Sequence, residues 1–301
     1  MRKSVLVPDV WRVACEAPEE DVEIFSDALS SFVDTVSWFA TEGRDAGDGG
    51  PWLIEAFCRE VPERGEIIAS LALAAEMAGL TSPTISIEKV AGRDWLADNL
   101  SDFPPIAAGR FFVHGSHFEG PLPSGFIPLL VDAGTAFGSG EHATTHACLL
   151  ALNILGKRKK FKRPLDMGCG SGILALAAAK IWRGKVRPVA ADIDSEAVRV
   201  AGRNARLNGV VGVRTQTSDG YRHRMIEKHA PYDLILANIL ARPLMRMAKD
   251  LNRHLSPNGV AVLSGLLERQ ENMVLSAHRP HGLRLIGRVR ERGWSAIILS
   301  R

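Results

Sequence analysis

The chain reads as an α/β protein, an open and mostly parallel sheet wrapped by helices, preceded by a smaller α+β domain. Three observations predict this. From about residue 132 onward, apolar runs of strand length alternate with helix-forming runs. One junction, LDMGCGSGILALAAAK from Leu165 to Lys180, is a strand, a glycine-rich turn and a helix N-terminus in immediate succession. Residues 10–90 instead order their elements β-α-β-β-α-β, which suits four antiparallel strands under two helices.

In that first segment Trp11 to Cys15 is a short strand, and Asp21 to Phe32 is an amphipathic helix with Val22, Phe25, Leu29 and Phe32 on one side. Val36 to Thr41 and Trp52 to Cys58 are strands separated by a Gly/Asp loop from Gly43 to Gly50. Glu63 to Leu80 is a second helix and Thr84 to Val90 the last strand. The order matches a ferredoxin-like sandwich, a fold that supports many functions. It contains no catalytic constellation, so docking or presenting a substrate is its natural use. Residues 91–131 form a linker with structure of its own, placed to act as a hinge. It holds a short helix (Trp95 to Leu100), a Phe103-Pro104-Pro105 break, a strand (Arg110 to Val113) and a proline-punctuated approach to Leu129-Leu130-Val131.

Residues 132–301 make the larger domain. Helix Thr144 to Leu155 precedes strand Pro164 to Met167, helix Ile173 to Lys180 and strand Pro188 to Ala191. Helix Ser195 to Leu207 ends at Asn208-Gly209, a C-terminal signal. Strands Val213 to Thr217 and Asp233 to Ala237 follow, then helix Arg242 to Leu255, strand Val260 to Ser264 and helix Glu268 to His278. Two closing strands, Leu283 to Val289 and Ser295 to Leu299, are near enough to form an antiparallel pair. Seven strands result.

Bulk properties narrow the class. At 301 residues two domains are expected, and 46% hydrophobic with 24% charged residues is ordinary for a globular protein. A net charge of +3 is too small to argue for nucleic acid, and the basic run Lys157 to Arg163 reads as a solvated loop. Cys15, Cys58, Cys148 and Cys169 form no C-x-x-C pair, so neither a disulfide framework nor a zinc-finger spacing is suggested. Pro8, Asp9 and Arg12 interrupt the apolar residues after Met1, and no apolar run reaches spanning length; a cytoplasmic location is expected.

The glycine turn carries the chemistry. Gly168, Gly170 and Gly172 let the backbone approach a ligand where a Cβ would collide, and the helix behind them presents N–H groups to a nucleotide-like molecule. Twenty residues after Gly172, Asp192 ends a second apolar run, where a carboxylate accepts both hydroxyls of a ribose. A dinucleotide turn would place its third glycine at position 173, but the chain has Ile173. With Asp166 two positions before the first glycine, the turn instead resembles the first motif of S-adenosylmethionine (AdoMet)-dependent methyltransferases. The resemblance implies a class I methyltransferase fold, a seven-stranded Rossmann-like sheet, and AdoMet as cofactor, its ammonium group held by Asp166.

Three more segments fall where such a site needs them. Ser218-Asp219 follows the third strand, where a side chain can meet the adenine amino group. YDLILANIL, Tyr232 to Leu240, puts Asn238 at the carboxyl end of the fourth strand, beside the reactive methyl. Val131 to Leu152 is glycine-punctuated and carries Phe137, then enters a helix at Thr144-Thr145. It reads either as a plain N-cap or as a flap whose Phe137 and Thr145 close on the cofactor. His142, His146 and Cys148 raise a metal, but His142 precedes the helix and Glu141 precedes the first histidine, unlike a zinc-protease helix. No metal is expected.

Together these segments resemble the PrmA family, bacterial methyltransferases that modify the stalk-base protein of the large ribosomal subunit. AFGSGEHATT, LDMGCGSGILALAAAK, ADIDSEAVRVAGRNARLNGV, ANILARPL and LSGLLERQ…GWSAIILSR stand in that family's order over roughly residues 131–301. The flap departs from the family, reading Gly-Ser-Gly-Glu-His-Ala where Gly-Thr-Gly-Thr-His-Pro is usual. The resemblance implies a ferredoxin-like substrate domain (1–90), a linker (91–131) and a catalytic domain (132–301). It implies AdoMet contacts from Thr145, Gly168, Asp192 and Asn238, within a site that also takes in Phe137, Thr144, Asp166, Gly170, Gly172, Ile193, Ser218 and Asp219.

The implied reaction is N-methylation of amino groups of the stalk-base protein: lysine side chains, with the α-amine as a further candidate. Asn238 is the implied catalytic residue, orienting the amine alongside backbone carbonyls near Ile239 and Leu240. Two rival readings are an amino-methyltransferase of RNA or DNA and a non-catalytic AdoMet-binding adaptor. Nucleic-acid enzymes often follow the fourth strand with Asn/Asp-Pro-Pro-aromatic, whereas Ile239, Leu240 and Ala241 stand here. Neither direct nucleic-acid recognition nor a membrane partner is expected.

Overall fold

The computed structural model describes residues 9–33, 35–40, 50–90, 105–132, 143–182 and 186–301. The chain divides into two units, residues 1–101 and 102–301. The first runs β1 (Val10–Pro18), α1 (Val22–Leu29), β2 (Thr35–Ala40), β3 (Pro51–Cys58), α2 (Arg64–Ala78) and β4 (Ile85–Val90). Its sheet is antiparallel in the order β2-β3-β1-β4, the ferredoxin-like arrangement. Period-two alternation sends Trp52, Ile54, Ala56 and Cys58 of β3 inward. Helix α2 answers with Ile67, Leu71 and Ala75, one stripe at four-residue spacing. Gly79 ends α2 at φ +70°, and Leu80 N–H returns to the Ala75 carbonyl at 2.8 Å. Phe32 lies past the end of α1, half-buried, so the α1 stripe is Val22, Phe25 and Leu29 alone.

The second unit opens with β5 (Ile106–Ala108), β6 (Phe111–His114) and β7 (Ile127–Leu130). Then come α3 (Ala143–Arg158), β8 (Pro164–Met167), α4 (Ile173–Ile181), β9 (Val189–Asp192), α5 (Ser195–Leu207), β10 (Arg214–Thr217) and α6 (Arg224–His229). It closes with β11 (Tyr232–Asn238), α7 (Ala241–Arg246), α8 (Ala248–His254), β12 (Leu255–Leu267), α9 (Glu271–His278), β13 (Arg284–Glu291) and β14 (Trp294–Ser300). The main sheet has the order β10-β9-β8-β11-β12-β14-β13, with β14 antiparallel to both neighbours and the first five strands parallel. Both faces are covered, which is why the central runs 189–191, 234–237 and 260–263 are apolar without interruption, whereas β10 at the sheet edge reads Arg-Thr-Gln-Thr. Along β11, Leu234 and Leu236 join the core under α3 and α4, while Ile235 and Ala237 join the core under α7, α8 and α9.

Three elements differ from the sequence reading. Residues 105–131, assigned there to the linker, belong to the second unit: Ala108, Phe111, Val113 and Leu129 share the core of α3 and α4. Asn208 fastens β7 to the end of α5, accepting from Leu130 N–H at 3.0 Å and donating to the Leu130 carbonyl at 2.6 Å. The single helix read over Arg242 to Leu255 is two, broken at Met247. Helix α6 was not anticipated; its first turn is capped by His223, whose Nδ1 accepts from Met225 N–H at 3.1 Å. The helix read at Trp95 to Leu100 and the Gly43 to Gly50 loop lie largely outside the described residues. Among the described residues no helix is long and apolar enough to cross a membrane.

Candidate active site

Strand order places the site. The chain moves outward from β8 to β9 and β10, then returns to the other side of β8 with β11, so a crevice opens at the carboxyl ends of β8, β9 and β11. The register aligns Met167 with Ala191 on one side and Ala237 on the other, and Asn238 with Ser264. Gly168, Asp192 and Asn238 therefore each stand one residue beyond this line, on neighbouring strands about 4.8 Å apart.

The glycine turn is hooked onto β9. Gly168 and Cys169 N–H groups both donate to the Ala191 carbonyl, at 2.8 and 3.0 Å. Gly170 N–H donates to Asp192 Oδ2 at 2.8 Å, and Asp194 N–H to Asp192 Oδ1 at 3.0 Å. All three glycines sit at positive φ (+70°, +50° and +79°), a conformation L-residues enter at a cost. At Gly172 packing adds to this, because a Cβ would lie 2.8 Å from that of Ala201 on α5. Asp166 is 1% exposed, and its Oδ2 accepts from Ala175 N–H at 2.8 Å, capping the first turn of α4. Its Oδ1 is buried without a partner. Burial raises this carboxyl to about 8, opposed by the Ala175 bond and assisted by Asp192. Asp192 is also raised, mainly by burial, with the Gly170 and Asp194 amides pulling the other way.

A second cluster forms around Asn238. Its Nδ2 donates to Thr145 Oγ1 at 3.2 Å and approaches Thr144 Oγ1 at 3.4 Å, while Oδ1 is buried and unpartnered. The threonines are buried and lie inside the first turn of α3, which begins at Ala143, so the N-cap reading is corrected. Two residues absent from the sequence-derived site complete the cluster. Ser264, fully buried, donates to the Ser295 carbonyl at 2.9 Å and reaches the Thr144 carbonyl at 3.4 Å. Its own carbonyl accepts from Ile239 N–H at 3.1 Å. Gly265, at φ +83°, lies against the backbone of Ile239. The visible signal was a Ser-Gly pair ending the apolar run of the fifth strand. Asn204 was missed too: a fully buried polar residue on the Ala197-Val200-Ala201 face of α5, it donates to the Ser171 carbonyl at 2.9 Å and pins the glycine turn.

The remaining candidates divide. Ile193 is 73% exposed beside Asp192, an apolar platform of the kind a planar ring stacks on. Ser218 is buried, its N–H donating to the Asp192 carbonyl and its hydroxyl to the Gly220 carbonyl, both at 2.7 Å. Asp219 instead turns outward to pair with Arg222 at 2.8 Å, so the structure does not bring its carboxylate to the cluster. Phe137 and His142 lie outside the described residues. His146 Nε2 donates to the Ala107 carbonyl at 3.2 Å and Cys148 is fully buried; among the described residues no group of three metal-ligating side chains forms.

These residues fit a nucleoside that carries a charged amino acid. Asp192 offers carboxylate oxygens for a ribose diol, Ile193 a platform for a base, and the orphan Asp166 oxygen an acceptor for an ammonium. The sheet order, its antiparallel last strands and this crevice define a class I AdoMet-dependent methyltransferase. A family model described as Ribosomal protein L11 methyltransferase (PrmA) matches residues 34–301, and the chain belongs to that family. The ribosomal protein L11 methyltransferase of Caulobacter sp. (strain K31) is 39% identical over 290 residues, spanning 96% of this chain and 97% of that one. Its counterpart in Sinorhizobium fredii (strain NBRC 101917 / NGR234) is 42% identical over 231 residues, 76% and 78% of the two chains. The crystal structure of the ribosomal protein L11 methylase from Lactobacillus delbrueckii subsp. bulgaricus aligns with a TM-score of 0.59 at 28% identity, covering 66% of this chain and 99% of that chain. The family is the one the motifs pointed to, and the match extends into the first unit, where no signature was legible.

Proposed function

We propose that this enzyme methylates amino groups of ribosomal protein L11, the stalk-base protein of the large subunit, on lysine side chains and on the α-amine, in the cytoplasm. One observation carries the reading: the family match continues from the catalytic unit back to residue 34, through most of the ferredoxin-like unit proposed to dock the substrate. When bound, AdoMet supplies an electrophilic methyl group on a sulfonium. Asp192 holds the ribose, Ile193 and Ser218 line the adenine side, Gly168, Gly170 and Gly172 leave room for the ligand, and Asp166 faces the ammonium.

Asn238 receives the substrate. Thr145 and Thr144 engage its Nδ2, so Oδ1 is the atom left to accept an N–H. A free lysine ammonium has a pKa of about 10.4 and must lose its proton to present a lone pair. Desolvation against Ile239 and Leu240 favours the neutral amine, and water takes the proton. Asn238 then fixes the direction of the lone pair, and alignment supplies most of the acceleration.

The direct test incubates the purified enzyme and methyl-labelled AdoMet with ribosomal proteins and RNA from cells lacking this gene. Label on L11 alone is expected; label on RNA or on a different protein would overturn the substrate.

Asp166 adds a prediction about pH. With its carboxyl raised to about 8, the ligand-free site holds a proton at neutral pH. An ammonium beside it favours the carboxylate, so binding at pH 7 releases a proton. Affinity rises with pH from about 6 toward about 7.5, before the ligand's own α-amino group begins to lose its charge at about 7.7–8.0. Titration calorimetry in buffers of different ionisation enthalpy reads that proton directly. Asp166→Asn should abolish the release; undiminished release in this variant would remove Asp166 from the role. The sign for folding is opposite. The folded carboxyl sits above its unfolded value, so the ligand-free protein loses stability as pH rises from about 4 to about 8.

A further inference from the structure

We infer that the edge of the main sheet opposite the catalytic crevice is an electrostatic docking surface for the phosphate backbone of RNA. The register sets one line across all seven strands: Arg284, Ser300, Val260, Leu234, Pro164 (with Leu165 beside Val189) and Arg214. Six strand spacings make that line about 29 Å long. The chain enters its strands along it with cations. Lys160, Lys162 and Arg163 precede β8, Arg187 precedes β9, and Arg214 and Arg284 begin β10 and β13; all six are exposed. The strand starts on this line contain one acidic side chain, Asp233. Its two oxygens are taken by the backbone N–H groups of Lys162 and Arg163, at 2.7 and 2.9 Å, and so leave the lysine and arginine heads unneutralised.

Helix dipoles do not explain the pattern. A basic last turn complements helix-end carbonyls, which accounts for Lys157 and Arg158 on α3. The six cations named above lie outside the helices. Nor does overall composition explain it. The chain carries only +3, so this concentration is balanced elsewhere, including Asp192, Asp194 and Asp219 at the catalytic end. A net charge averaged over 301 residues conceals the separation, and the expectation of no nucleic-acid contact rested on that average and on the residues after Asn238. Those residues concern base stacking at the catalytic edge. The basic edge needs no base readout, because phosphate contacts position a protein without reading sequence. Choosing RNA as the polyanion rests on the proposed ribosomal-protein substrate.

The test measures binding of the full-length protein to a labelled single-stranded RNA of about 20 nucleotides across a salt series. The wild type and the variant Lys160→Glu/Lys162→Glu/Arg187→Glu are compared. Losing three phosphate contacts should lower the slope of log K against log salt by about 2 and weaken binding at least about tenfold at 0.1 M salt. Methylation of free L11 should be unchanged, since none of the three residues touches the crevice. The neutral variant with glutamine at the same positions should show the same loss and guards against charge-reversal misfolding; Lys160→Arg/Lys162→Arg should retain binding. RNA affinity and slope equal to wild type in the folded variants would overturn the inference. So would a preference for phosphatidylglycerol-containing phosphatidylcholine vesicles over RNA. If wild-type enzyme fails to methylate L11 while charge-dependent RNA binding persists, the substrate reading falls and this surface stands.

Discussion

Gly265→Ala should lower the melting temperature by about 6–12 °C and cut methyl transfer about a hundredfold, although residue 265 is not among those proposed to touch the cofactor. A Cβ there would stand 2.4 Å from the Ile239 carbonyl oxygen, 2.7 Å from its carbon and 2.9 Å from its nitrogen. All three are backbone atoms, so no side-chain rotation relieves the contact. The Ile239 peptide must retreat, and Asn238 moves with it. Positive φ at +83° adds strain of about 1–2 kcal/mol, and overpacking adds about 1–3 kcal/mol. A total near 3 kcal/mol in a unit of this size gives the stated shift. A displacement of the order of 1 Å at a reacting centre costs about a hundredfold. Gly282→Ala separates the two contributions, since Gly282 shares the positive φ (+84°) and has open space where its Cβ would be. If Gly265→Ala melts with Gly282→Ala and keeps full activity, the Gly265–Ile239 contact does not position the catalytic asparagine.

The contrast between Gly168 and Gly265 shows how far a sequence can be read. Gly168, Gly170 and Gly172 announce themselves because they cluster at alternate positions between an apolar run and a helix. The turn is legible locally even though Gly168 and Gly172 also pack against Ile239 and Ala201 far along the chain. Gly265 is a lone glycine near the end of β12, and its meaning lies in a neighbour 26 residues earlier in the chain. Asp166 was legible as an acid before the turn. Its cap on Ala175 and its orphan oxygen were not, because both follow from how α4 packs onto β8. The central strands were legible because the buried runs 189–191, 234–237 and 260–263 are uniformly apolar. The break at Met247 was not, since Arg242 to Leu255 keeps a helical pattern through it. Asp219 shows a further limit: its position after the third strand was legible, while its pairing with Arg222, three residues on, was not. The linker was placed too long because proline and glycine punctuation looks the same around short strands as in a connector. Burial of Phe111, Val113 and Leu129 against α3 distinguishes them, and burial is a tertiary fact.

Asn238→Ala should lower kcat about a hundredfold while leaving the Kd of AdoMet within about threefold. The argument rests on which atoms of the amide are already engaged. Nδ2 faces Thr145 and Thr144 hydroxyls, so the side chain is held in one orientation, and Oδ1 is a buried acceptor with no protein partner. An unsatisfied acceptor of this kind costs about 1–3 kcal/mol in the resting protein. The substrate amine donates to that atom, and its N–H becomes a stronger donor as the nitrogen gains positive charge during methyl transfer, which places the benefit on kcat and not on cofactor affinity. Thr145→Val tests the orientation independently: the Asn238 amide loses its closer partner, and kcat should fall about tenfold, equivalent to one hydrogen bond. If the threonine acts through the asparagine, the double variant should be no slower than Asn238→Ala, and the non-additivity measures the coupling. Additive losses would mean that Thr145 works on the cofactor directly. Parallel losses of AdoMet affinity and turnover in Asn238→Ala would make Asn238 a wall of the cofactor pocket and move the orientation of the amine to the backbone carbonyls of Ile239 and Leu240.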